Sequence, residues 1–232
     1  MQNRLGQPIG EPVVGWQPPS APPRQAIEGR YCRLEPLDAS RHAGDLFRAN
    51  QADLEGRIWT YLAYGPFDSE TAYREWVRQR SESVDPLFFA VVDASSREAR
   101  GVLSYLRIDP PNGSIEVGHI CYAPALQRTP AATEAVYLVM REAFAMGYRR
   151  FEWKCDALNA PSRAAALRYG LTFEGIFRQA TVYKGRNRDT AWYSAIDAEW
   201  PRLDAAFTRW LDPSNFDAGG TQKTSLRALT LG

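Results

Sequence analysis

The stretch "YAPALQRTPAATEAVYLVMREAF", Tyr122 to Phe144, decides how this chain is organised. An alternating segment ends at Tyr122, a turn follows, and an alanine-rich run begins at Pro130. Ala132, Val136, Val139, Met140 and Ala143 recur at helical spacing and predict a buried stripe. Proline suits a first helical position because it has no N–H to leave unpaired, and a preceding threonine can cap. The corner also has a second reading. Ala131, Ala132 and Thr133 open the helix with N–H groups at its positive end, and Gln127, Arg128 and Thr129 stand beside them. Such a terminus suits an anion. It is not a glycine-rich loop, so it is neither a Walker nor a dinucleotide fingerprint. Cap and anion site both stand on the residues alone.

Outward from that corner the elements alternate in type. "GRYCRLEPL" reads as a strand, "ASRHAGDLFRAN" as a helix, and "SETAYREWVRQRSES" as a second helix with Ser69 as its cap. "LFFAVVD", "GVLSYLRID" and "SIEVGHICY" read as strands joined by the polar turns "ASSREA" and "PPNGS". After the Pro130 helix come the strand "RRFEWKCDA", a short helix "APSRAAALRYG" and the strand pair "GIFRQATVY" and "RDTAWYSAI". This order predicts a mixed α/β or α+β sheet with helices on its faces. The proline-rich residues 1–28 read as an extended arm that Trp16 anchors, residues 29–211 as one domain, and residues 212–232 as a flexible tail broken at Gly219-Gly220.

A chain of 232 residues with 44% hydrophobic and 12% aromatic content can bury a substantial core. Its 28 basic and 27 acidic residues give no global pull toward nucleic acid or anionic lipid. The three cysteines, Cys32, Cys121 and Cys155, are too few and scattered for a disulfide framework, and read as buried free thiols. The two histidines, His42 and His119, lack ligand spacing, so no metal is expected. "MQNRLGQPIGEP" has no apolar signal core and no apolar run approaches membrane-spanning length; the expectation is a soluble, cytoplasmic protein.

The strand–helix order, with "LQRTPAATEA", "DALNAPSRAAALRYGLTFEG" and "GRNRDTAWYSAI", resembles the GCN5-related N-acetyltransferases, the GNAT superfamily, and within it the RimJ/RimL type. The resemblance runs from "GRYCRLEPL" to "DTAWYSAIDAEWP". The family's coenzyme signature, Gln/Arg-x-x-Gly-x-Gly/Ala, is met at Gln127 and Ala132, while Pro130 replaces the central glycine. The resemblance implies a twisted sheet that splays into a V between "SIEVGHICY" and "RRFEWKCDA". Acetyl-CoA would lie in the V, its pantetheine along Ile120 and Tyr122 and its pyrophosphate on the corner from Arg128 to Thr133. Asn159 would hold the pantetheine arm and Ser162 would assist the departing thiolate; as pure structure, Asn159 caps the helix and Ser162 is solvated.

The implied activity is transfer of an acetyl group to a primary amine, of a protein N-terminus or a small molecule, by direct attack. An ammonium must first lose a proton, and Glu116 is the candidate base. Strict alternation puts Glu116 with Gly118, Ile120 and Tyr122 on one strand face, and His119 with Ile115, Val117 and Cys121 on the other, unless a bulge intervenes. In "RIWTYLAYGPF", Trp59 and Tyr64 line an acceptor pocket or pack onto the core; the resemblance implies that this region and the "YKGRN" hairpin flank the amine, where Arg186 and Arg188 suit an acidic acceptor. Two rivals remain: a non-catalytic module that binds CoA or another ligand in the same cleft, and a nucleic-acid binder, which the balanced charge disfavours. A homodimer is an assembly to test for.

Overall fold

The computed structural model describes residues 1–231. Eight strands form one sheet in the order β1-β2-β3-β4-β5-β6-β8-β7. They are β1 (Ile27–Glu28), β2 (Cys32–Pro36), β3 (Leu87–Asp93), β4 (Ala99–Asp109), β5 (Ser114–Tyr122), β6 (Arg150–Asp156), β7 (Thr172–Tyr183) and β8 (Arg186–Ile196). Only β5 and β6 pair in parallel, because α3 (Pro130–Ala145) carries the chain between them. The other helices are α1 (Ala39–Asn50), α2 (Glu70–Ser81), α4 (Ala160–Arg168), α5 (Trp200–Leu211) and α6 (Leu226–Leu231). The expected mixed sheet with helices on its faces is present.

Alternation on β3 divides the core. Leu87, Phe89 and Val91 face α3 and α5, while Phe88 and Ala90 face α1 and α2. The helices start where the sequence places them: Ser69 accepts from Ala72 N–H at 3.2 Å, and Asp38 accepts from Ser40 and Arg41 N–H at 2.8 and 2.9 Å. Helix α3 is buried more widely than its stripe. Glu134 is buried in it, and its carboxylate accepts from the N–H groups of Arg30, Tyr31 and Cys32 at 2.8, 2.6 and 2.8 Å. That carboxylate ties the entry of β2 to the central helix.

Trp16 does anchor the N-terminal arm: its indole donates to Gly147 O at 3.0 Å and its ring lies under the Arg149 guanidinium. Two residues of the expected arm, Ile27 and Glu28, instead extend the sheet. The expected flexible tail needs a larger correction. Asn215 is buried and clamps it, donating to Trp210 O and Thr224 O at 3.1 Å each and accepting from Thr224 N–H at 2.9 Å. Helix α6 then inserts Leu226, fully buried, into the core beside α5. Polar turn residues masked one apolar anchor. Among the described residues no helix is long and apolar enough to cross a membrane.

Candidate active site

Strands β5 and β6 pair only from Ser114↔Arg150 to Val117↔Trp153. Beyond that vertex Gly118–Tyr122 and Lys154–Asp156 diverge, which opens the V. A bulge shapes its β5 wall. Ser104 of β4 faces Gly118, but Val102 faces Cys121, so three steps on β5 meet two on β4. His119 takes up the extra residue at φ +52°.

The bulge inverts the phase of the strand and corrects the expected faces. Ile115 and Val117 pack toward α3, and beyond the bulge so do Ile120 and Tyr122. Cys121 packs toward α1 and α2, and His119 stacks on Tyr64 and Phe88 of that side at 5.7 and 5.0 Å. Glu116 therefore shares its face with His119 and Cys121, not with Ile120 and Tyr122. The Tyr122 hydroxyl is buried without a hydrogen-bond partner.

At the corner before α3, the cap and the anion reading compete for the same groups. Thr129 accepts from Ala132 N–H at 3.2 Å and donates its hydroxyl to Leu126 O at 2.6 Å. Thr133 N–H reaches Thr129 O at 3.4 Å, and the Thr133 hydroxyl accepts from Arg168 at 3.0 Å. The Ala132 and Thr133 N–H groups are thus committed within the helix start, contrary to expectation. Among the described residues, the Ala131 and Arg128 N–H groups have no hydrogen-bond partner. Arg128 sits in the left-handed region at φ +62°, with an exposed side chain and no ion pair among the described residues. Gln127 turns back, its amide donating to Tyr122 O at 2.8 Å, which occupies a carbonyl expected to meet the pantetheine.

Asn159 does cap α4, accepting from Ser162 N–H at 3.1 Å. Ser162 lies beside β6, where the Trp153 indole N–H donates to its Oγ at 3.0 Å. An indole can only donate, so the serine's own proton is directed elsewhere. Its neighbour Cys155 offers only a weakly accepting sulfur. All three cysteines are free and buried, and burial raises each thiol, Cys121 to about 12. None is an activated nucleophile.

Glu116 stands one residue before the vertex, buried on the α1/α2 face. Lys154 Nζ lies 3.0 Å and Arg107 Nε 3.1 Å from its carboxylate, without hydrogen-bond alignment. Lys154 also meets Glu152 at 2.7 Å. Burial outweighs these cations and raises the Glu116 carboxyl above its ordinary value, whereas Lys154 and Arg150 hold Glu152 below its own.

The acceptor candidates part company. Trp59 is buried in the α1/α2 core, edge-on to Tyr64, Phe67 and Tyr73, and packs instead of lining the cleft. Tyr64 lies against Trp76 and His119, and its hydroxyl is buried without a partner. Arg186 is exposed at the start of β8, beside the tight Lys184-Gly185 turn. Arg188, two residues on, is the cation that faces the cleft, its Nε donating to Thr190 Oγ1 at 3.2 Å. Burial, then the charges of Arg80 and Arg188, depress the His119 pKa to about 4, so its ring is neutral at pH 7. Of the two arginines expected near the acceptor, alternation along β8 puts Arg188 on the face of Thr190; nothing in the sequence brings Arg80 of α2 to this place.

Residues 32–172 match the family profile of the acetyltransferase (GNAT) domain. A GCN5-related N-acetyltransferase of Brucella melitensis is 47% identical, with a TM-score of 0.92 over 95% of this chain and 100% of that one. A Chromobacterium violaceum protein described as a probable acetyltransferase of the GNAT family is 43% identical, with a TM-score of 0.78 over 84% of this chain and 98% of that one. YdaF of Bacillus subtilis, named as a candidate ribosomal N-acetyltransferase, is 30% identical over 173 residues, 72% of this chain and 90% of that protein.

Proposed function

The chain belongs to the GNAT family of acetyl-CoA-dependent N-acetyltransferases, and from that premise we propose that it acetylates a primary amine by direct attack in a ternary complex. The observation that carries this reading is the split sheet itself: β5 and β6 part at Val117 and Trp153, with α3 starting at one mouth and Ser162 at the other. The site fits the coenzyme. Unpaired strand edges suit pantetheine amides, the free Arg128 and Ala131 N–H groups with the Arg128 guanidinium suit a pyrophosphate, and the orphaned Tyr122 hydroxyl lies on the same face. Bound acetyl-CoA supplies the thioester and the thiol that leaves.

The protein's own residues then divide the remaining work. Trp153 occupies one lone pair of Ser162, so the serine proton is available for the developing thiolate. Asn159 holds Ser162 at the first turn of α4. Glu116, raised by burial, is better matched to an amine's proton than an ordinary carboxylate, and takes it through water or the charged vertex. The YdaF name supports a protein N-terminus among the acceptors, and buried free thiols support a cytoplasmic setting. Incubation with acetyl-CoA and an amine panel tests the reading by release of free thiol. Acetyl-CoA at millimolar concentration should also raise the melting temperature. Absence of both responses overturns it.

A further inference from the structure

The α1/α2 face of the split holds more cations and donors than the protein itself satisfies. Arg80 of α2 lies over the Trp76 ring at 6.0 Å, and Trp76 packs on Tyr64 at 4.5 Å. Tyr64 stacks on His119 at the bulge, and Arg188 of β8 donates to Thr190 Oγ1 at 3.2 Å and lies over the Tyr183 ring at 5.9 Å. Among the described residues neither Arg80 nor Arg188 has an ion-pair partner, and each guanidinium lies over an aromatic ring instead. The acids on this face are already engaged. Glu116 is flanked by Lys154 and Arg107, and Asp156 accepts from Leu158 N–H and the Tyr183 hydroxyl at 2.8 Å each.

The Tyr64 hydroxyl and the Trp76 indole N–H of this stack are buried without a partner among the described residues. An indole N–H can only donate. A buried donor left unmade costs about 1–3 kcal/mol, so a concentration of them marks a place where an acceptor of hydrogen bonds completes the site. These groups also lie on the opposite sheet face from α3, where Arg128 and Ala131 stand ready for the coenzyme phosphates. They are therefore not a second part of the phosphate site.

We propose that this wall selects acceptors carrying a negatively charged group close to their primary amine, with Arg80 and Arg188 pairing the anion and Tyr64 and Trp76 adding donors. The proposal rests on the acetyltransferase reading, and it specifies the substrate class. The amine points to the vertex, where Glu116 lies on the same face as His119. The anion stays at the outer wall. A lysine at the corresponding place on the acceptor meets two guanidinium groups and is rejected.

Matched peptides with C-terminal amides separate charge from shape: Ser-Asp-Gly, Ser-Asn-Gly and Ser-Lys-Gly. β-Alanine and its amide form a second arm that distinguishes small amines from peptide N-termini as the source of the anion. The expected kcat/KM for the Asp peptide exceeds that for the Asn peptide by roughly tenfold or more, with the Lys peptide lowest. Added salt narrows the ratio. Arg188→Gln and Arg80→Gln each bring it down toward unity, Arg188→Lys restores part of it, and Arg48→Gln on the outer side of α1 leaves it as in the parent. Equal rates for Asp and Asn peptides, or a ratio that survives both glutamine variants, overturn the proposal. Calorimetric titration of the peptides into the CoA-loaded protein keeps the two ideas apart. Preferential binding of the Asp peptide without acetylation rejects the acetyltransferase reading but keeps the anion wall. Acetylation of all peptides alike does the reverse.

Discussion

Glu116 and Lys154 are both buried, yet removing one or the other should have very different consequences. Glu116→Gln leaves Lys154 with Glu152 at 2.7 Å and leaves Arg107, whose side chain is 65% exposed, to water. Glutamine also resembles the protonated carboxyl that burial already favours at this position. The expected stability loss is about 1 kcal/mol or less, the scale of one ordinary hydrogen bond. Lys154→Met does the opposite. It leaves Glu116 and Glu152 as register neighbours across the vertex, with only peripheral arginines to offset them. Stripping the partner from a buried charge costs about 3–5 kcal/mol. At about 2–4 °C per kcal/mol for a chain of this size, the melting temperature should fall by roughly 6–20 °C.

The pH dependence supplies a sign. A carboxyl raised by folding contributes stability that is present below its unfolded value and is lost as pH rises through its folded value. Glu152, held low, contributes in the other direction and loses its share as pH falls. The Lys154→Met deficit should therefore be greatest near neutral pH and shrink toward acid as Glu116 takes up a proton. Thermal scans of both variants between acid and neutral pH make the measurement. A Glu116→Gln protein less stable than Lys154→Met at neutral pH would refute this account of the vertex. A well-folded Glu116→Gln enzyme that keeps the alkaline-rising limb of its rate profile would remove Glu116 from the base role.

Other outcomes follow from single contacts. Ser162→Ala should lower turnover by roughly tenfold to a thousandfold with little change in CoA affinity, since its free proton matters chiefly as the thiolate forms; steady-state kinetics beside CoA titration separate the two. Arg128→Ala should weaken CoA by on the order of tenfold, less at high salt, while Pro130→Gly stays within about a few-fold, because proline here only opens the helix; titration with CoA and dephospho-CoA distinguishes them. Leu226→Ala should cost about 2–5 kcal/mol in denaturant unfolding, as for a buried core leucine, whereas a loose tail would show no loss.

Elements built on local periodicity were legible in the sequence: the bounds of α1, α2 and β3 follow from caps and alternation. The Asn159 cap and the cleft between β5 and β6 were legible too, the latter only through the family resemblance. What escaped depends on distant partners. Trp59 offers an aromatic in a polar loop, and only the ring packing around Tyr73 turns it inward. Glu134 looks like a solvent-facing helix residue until the N–H groups of residues 30–32 arrive. Helix α5 carries Leu203, Ala206, Phe207 and Trp210 at readable spacing, but its start at Trp200-Pro201 follows a strand so closely that the boundary hides it. Arg80 joins the His119 side of the split through Trp76 and Tyr64, ring contacts that no local pattern encodes.

The extra residue at His119 gives β5 something akin to a reading frame. Replacing His119 tests one side chain. Deleting it should keep the frame, because Ile120 then follows Gly118 in plain alternation: Ile120 and Tyr122 stay on the α3 face and Cys121 on the α1/α2 face, opposite the same β4 partners. Inserting one residue after Ile120 does the reverse and sends Cys121 to the α3 face and Tyr122 to the α1/α2 face, with neither of them mutated. The coenzyme wall and the acceptor wall would then exchange linings at that end of the strand. A scan of single-residue deletions and insertions along β5 should thus tolerate loss of His119 far better than an insertion two residues on, a difference that a substitution scan would pass over.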